Sequence, residues 1–142
     1  MKTFVVILSL FGLSISITSC RKYEEGSNFS VLGKKLRLIG DWMLYEVSDA
    51  YGNDVDLTNH GENLFLNYDG SFDKTVIEYN DGAAVSTSRF SGSWRFVDDK
   101  ESLALINNRE NIDLKYTIVR LTNSELKIRD EVTKSTYYYV PL

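Results

Sequence analysis

The chain holds one cysteine, one proline and one histidine among its 142 residues. A single thiol allows no internal disulfide, so an exported fold must stand on its packed core alone. One proline and nine dispersed glycines leave no interdomain linker, apart from a short tether near the N-terminus. Zinc cages need several His or Cys ligands, and one histidine cannot build one. No block of Lys or Arg occurs and the formal net charge is −4, which removes the clustered cations that nucleic-acid binding requires. There is no glycine-rich phosphate loop and no Ser/His/Asp arrangement in a supporting context. What the chain does have is 43% hydrophobic and 13% aromatic residues, enough to exclude disorder and to build one domain around one core.

The N-terminus divides into three parts. Met1-Lys2-Thr3 carries a single positive charge, Phe4 to Ile17 is mostly apolar, and Thr18-Ser19 is small and polar. That order is a secretory signal peptide, and the apolar run is short of the ~20 residues a membrane-spanning helix takes. Ile17-Thr18-Ser19-Cys20 resembles the lipobox of bacterial lipoproteins, with Ile where Leu is usual. The resemblance implies that Cys20 receives a thioether-linked diacylglycerol, that cleavage falls before it, and that the freed amine is acylated with a chain such as palmitate. Two or three acyl chains hold firmly at ~0.8 kcal/mol per buried CH₂, so the membrane is an expected partner through the anchor. Arg21 after the cysteine, rather than Asp, is similar to lipoproteins sent on to the outer membrane. Glu24-Glu25 is similar to the acidic export tags of Bacteroidetes surface lipoproteins. The expected organisation is a signal peptide over 1–19, a lipidated cysteine and tether over 20–29, and one domain over 30–142.

Beyond the tether, Leu32, Leu36 and Ile39 fall on one helical face, with Ser30 as N-cap, and predict a short helix. Everything downstream predicts strands: Asp41–Ser48, Asn63–Tyr68, Asp73–Tyr79, Ser88–Val97, Ser102–Ile106, Ile112–Leu121, Glu125–Val132 and Ser135–Val140. Ile112, Leu114, Tyr116 and Ile118 alternate with polar residues at the period of two that a half-buried strand requires. Asp69-Gly70 is a hairpin signal, and Asn80-Asp81-Gly82 and Asn123-Ser124 are further turns. About eight strands joined by short turns form an antiparallel meander. Rolling it into an all-β, up-and-down barrel removes the exposed edges.

Gly40-Asp41-Trp42, behind a short helix and opening the first strand, resembles the Gly-x-Trp signature of lipocalins, whose tryptophan packs across one barrel end. The pattern recurs at Gly92-Ser93-Trp94. With the Asp-Gly hairpin and the leucine-turn-leucine segment from Leu121 to Leu126, residues 31–142 are similar to the lipocalin-like domains of Bacteroidetes lipoproteins. Two features of lipocalins are not matched: no Thr-Asp-Tyr segment is present, and Arg129 is the nearest counterpart of the closing arginine.

Candidate chemistry is sparse. His60 sits in a polar stretch and is expected to be a solvated loop residue. Asn53-Asp54-Val55-Asp56 lacks the glycine and distant glutamate of a calcium loop. Neither metal nor cofactor is expected, and no enzyme is expected. The aromatic set Trp42, Tyr68, Phe90, Trp94, Phe96 and Tyr116 stands out. An eight-stranded barrel is just wide enough to fill with side chains or to hold one small ligand, so these rings either line a lumen or are the core. Tyr137-Tyr138-Tyr139 alternates faces, so at least one of these rings should face outward. The expected function is a lipid-anchored envelope lipoprotein whose barrel binds a small hydrophobic ligand. The alternative is a filled barrel that docks an envelope protein or glycan.

Overall fold

A computed structural model describes residues 33–107, 109 and 112–142. The expected signal peptide, Cys20, the expected tether and the expected N-cap Ser30 lie outside the described residues. Helix α1 (Lys34–Leu38) precedes eight strands: β1 (Gly40–Ser48), β2 (His60–Leu66), β3 (Ser71–Asn80), β4 (Ala83–Val97), β5 (Ser102–Asn107), β6 (Ile112–Leu121), β7 (Leu126–Asp130) and β8 (Thr136–Pro141). Each strand pairs antiparallel with the next, and β8 returns to β1 to close the barrel.

The turns follow local chemistry. At the β2–β3 turn, Asn67 N donates to Ser71 O at 2.9 Å, and Asp69 Oδ1 accepts from both the amide and the hydroxyl of Ser71. Leu121 and Leu126 face each other across the β6–β7 turn, and both are fully buried. In β1 the register with β8 shifts between Leu44 and Glu46. A bulge of this kind inserts one residue and re-aims the side chains that follow, so Leu44 and Val47, three apart, both reach the core.

The helix departs from its expected face. Leu36 is 52% exposed, whereas Leu38 is fully buried in the core. Five residues make little more than one turn, too few to present a stripe of period 3.6. Packing against the barrel end therefore decides which leucine is covered. Arg37 Nη1 donates to Leu121 O at 2.7 Å and ties α1 to the end of β6. Gly40, at φ 150°, turns the chain from the helix into β1 with backbone that side-chain-bearing residues rarely adopt.

Strand β4 runs very close to β5 at Gly92. A Cβ there would stand 2.0 Å from Ile106 O and 2.9 Å from a Phe72 ring carbon. Only a residue without a side chain permits so close an approach to β5. On its other edge β4 pairs with β3 from Ala83 to Ser93, but with β5 only from Ser93 to Val97. The β3–β4 hairpin therefore projects beyond the β4–β5 seam.

Candidate functional site

The barrel interior is divided. At the helix end, Leu38, Trp42, Leu64, Leu66, Trp94, Leu103, Leu121 and Leu126 form a close-packed apolar core. Trp42 donates its indole N–H to Leu38 O at 2.9 Å, which closes α1 over this end. Trp94 donates to Asn67 O at 2.9 Å and packs edge-to-face on Phe96, with ring centroids 5.7 Å apart. Buried tryptophans whose N–H is satisfied by backbone are packing elements. Of the expected site residues, Trp42 and Trp94 therefore belong to the filled half, and Phe96 packs against it.

Midway along the lumen the inward row turns polar. Glu62 on β2 is 5% exposed. It accepts a short hydrogen bond from the Tyr139 hydroxyl and pairs with Lys74 Nζ on β3 at 2.9 Å. Tyr116 stands edge-to-face with Tyr137 at 6.2 Å, and Lys74 Nζ lies 6.0 Å from the Tyr137 ring centroid. Burial, and then the negative charge of Glu62, hold the phenols of Tyr116, Tyr137 and Tyr139 above the usual tyrosine value. All three stay neutral donors at physiological pH. A buried charge pair with its remaining lone pairs satisfied by a neighbouring hydroxyl is tolerable in a low-dielectric interior.

Beside this cluster the lumen is hollow. A cavity of about 350 Å³ is bounded by Phe72, Val76, Phe90, Leu105 and Leu114, with Lys74 and Asn107 as its polar members. Leu114 shares a strand face with Tyr116 and Ile118, yet it is 38% exposed and borders this cavity. Apolar walls with a few placed polar groups are the usual make-up of a small-molecule pocket, and 350 Å³ falls within the ~300–1,000 Å³ such pockets occupy. Phe90 is thus the expected site residue that lines the cavity, and Tyr116 lies in the adjoining polar cluster.

Tyr68 does not face the lumen. It is 68% exposed on the β2–β3 turn, under Lys35 Nζ at 4.3 Å from its ring centroid. Strand β2 ends at Leu66, two residues earlier than the pattern predicts, so the inward phase never reaches position 68. His60 is not a loop residue: it opens β2, with Nδ1 3.1 Å from Glu78 Oε1 and Nε2 4.0 Å from Glu62 Oε2. Asp56 accepts hydrogen bonds from the amide and hydroxyl of Thr58. Among the described residues no group of three or more His, Cys, Asp or Glu is placed to hold a metal. Arg129 is far from Trp42; it pairs opposite Thr117 and Thr136 beside a groove shared with Lys127 and Lys134. Of the tyrosine run, Tyr138 faces outward, 5.8 Å from the Tyr45 ring, and donates to Glu125 at 2.7 Å. Sequence reading missed Glu62, Lys74, Asn107, Leu114, Tyr137 and Tyr139. The signal for two of them was available: Glu62 continues the inward phase of Leu64 and Leu66, and Lys74 that of Phe72.

A closed up-and-down barrel of eight strands, filled at one end and hollow at the other, is the class of protein that fold and site define. Residues 38–128, more than half of the chain, match the family model described as the lipocalin-like domain. The chain belongs to the lipocalin-like domain family. Among solved structures, a redesigned beta barrel is similar at 10% identity over 80% of this chain and 99% of that one, with a TM-score of 0.43. A mutant of the fluorescent protein UnaG is similar at 11% identity over 75% and 97%, with a TM-score of 0.37. No curated protein matches the sequence.

Proposed function

We propose that this protein is a lipid-anchored binding module of the bacterial envelope that holds one small hydrophobic molecule inside its barrel. The observation that carries the reading is the 350 Å³ cavity, apolar on most sides, left open beside a core that is otherwise filled. Phe72, Val76, Phe90, Leu105 and Leu114 supply the apolar contact. Lys74 and Asn107 supply the polar groups that fix orientation. Because Glu62 already balances the Lys74 charge, Lys74 suits a hydrogen-bond acceptor better than a second full negative charge. The same closed, partner-satisfied cluster favours a binding role over catalysis. Lipid on Cys20, in the lipobox-like Ile17-Thr18-Ser19-Cys20, would hold the barrel at the outer membrane. A docking role for the outer face, the second reading, draws on Tyr45 and Tyr51, which are 64% and 90% exposed.

The test is mass spectrometry of an organic-solvent extract of the chain from Arg21 on, purified from periplasm. That form keeps every strand of the closed barrel and its whole buried core. The expected result is one small apolar molecule at a stoichiometric ratio. An empty extract, together with no uptake of added apolar probes, would shift the function to the outer face. For the anchor, Cys20→Ala should abolish incorporation of labelled palmitate, and persistent label would end the lipoprotein reading.

A further inference from the structure

Strand β4 outruns β5, which leaves a gap on that side of β4 beyond Asn107 among the described residues. Their ladder ends at the Ser93–Ile106 pair. From Ala83 to Gly92, β4 has a partner only on its β3 side among the described residues. An edge of unpaired N–H and C=O groups is normally blunted, covered or used. Gly92 stands just past the last pair of that ladder, and its backbone still lies so close to Ile106 that no side chain fits between them.

The gap leads somewhere on both sides. Inside lies the apolar cavity of about 350 Å³. Outside lies a groove of about 590 Å³ lined by Asp73, Arg89, Ser91, Ser93 and Arg109. Phe72 and Asn107 line both spaces. Arg89 is exposed and makes no ion pair among the described residues. Arg109 is held in place by its backbone N–H, which donates to Asn107 Oδ1 at 3.0 Å. Among the described residues that line this groove, two guanidinium groups stand against the one carboxylate of Asp73. Arginine forks match planar anions such as carboxylates.

We infer that the barrel takes an amphipathic anion through this lateral gap, its apolar chain in the cavity and its anionic head on Arg89 and Arg109. The inference rests on the binding reading above and gives it a ligand class and an entry side. It also accounts for the arrangement of charges. Lys74, neutralised by Glu62, cannot be the main counter-ion of an anionic head, whereas the rim arginines can.

Calorimetric titration of the chain from Arg21 on, with decanoate and with decanol as matched probes, separates the two readings. The wild type should bind both probes, decanoate more tightly by about threefold to tenfold, the range expected of charge-assisted contacts at a part-exposed rim. Arg89→Gln with Arg109→Gln should erase that preference and leave decanol affinity unchanged. Uptake of neither probe would overturn the binding reading itself. Equal binding of both by the wild type, or a decanoate preference that survives the double substitution, would overturn the lateral anionic site alone. If the wild type instead forms dimers that Arg89→Gln disrupts, with no head-group preference, the β4 edge is a pairing surface and the inference fails.

Discussion

Trp94 and Phe90 sit on the same face of β4, four residues apart, and have opposite roles. Trp94 is 6% exposed, hydrogen-bonded and packed on Phe96. Phe90 is half-buried and borders empty space. Trp94→Ala should cost ~3–5 kcal/mol, as truncating a large aromatic in a packed interior does, and urea unfolding would measure it. Phe90→Ala should cost clearly less, because its partners are fewer, while changing uptake of apolar probes. Equal losses for the two would mean that the cavity is collapsed in solution. Glu62 poses a second test at this scale. Glu62→Gln strands a Lys74 side chain that is only 16% exposed, and breaking a buried pair costs ~3–5 kcal/mol. The partial exposure of Lys74 places the expected loss toward the lower end. Glu62→Leu combined with Lys74→Met should recover most of it, since two apolar groups leave no uncompensated charge. Simple additivity of the two single losses would show that the pair is not coupled.

At the scale of elements, the decisive piece is the close approach of β4 to β5 at Gly92. Gly92→Ala places a methyl against the Ile106 carbonyl, so β5 must move or the pair must open. Overpacking typically costs ~1–3 kcal/mol and sometimes more, and a backbone obstacle puts this site at the high end. Gly33→Ala, with nothing within 4 Å of the added atom, is the matched control and should be nearly neutral. Thermal melts of the two variants decide it: equal melting temperatures would mean that β4 and β5 are not in close contact at Gly92. The helix teaches a related lesson. Its periodic pattern pointed to Leu36, but a single turn leaves the choice to the barrel end it covers, and that end covers Leu38.

The whole molecule carries three lumen tyrosines whose phenols are held above the usual value near 10 by burial and by Glu62. A group whose folded value is raised contributes stability that is intact below the unfolded value and lost as pH climbs through the folded one. Stability should therefore be level up to about pH 10 and fall above it. Tyr139 alone, fully buried, steepens the fall by about 1.4 kcal/mol per pH unit. Urea midpoints from pH 8 to 11.5 should decline less steeply for Tyr139→Phe than for the wild type. Parallel declines would remove Tyr139 from the linkage.

Strand number, order and antiparallel pairing were legible in the sequence because they follow from local facts. The period of two, the Asp69-Gly70 turn and the leucines flanking the β6–β7 turn each act within a few residues. The phase of alternation also put Phe90, Trp94 and Phe96 on one face, and the structure keeps them there. What only the tertiary structure decided is which inward side chains meet a neighbour and which meet a void. Trp94 and Phe90 look alike in the alternation, and only barrel closure packs one and leaves the other beside a cavity. Glu62 and Lys74 are diagonal neighbours on the paired strands β2 and β3, but Tyr139 reaches them only because β8 closes against β1. Alternation sets the direction of a side chain, whereas its partners depend on strand tilt and closure, and those are properties of the assembled barrel.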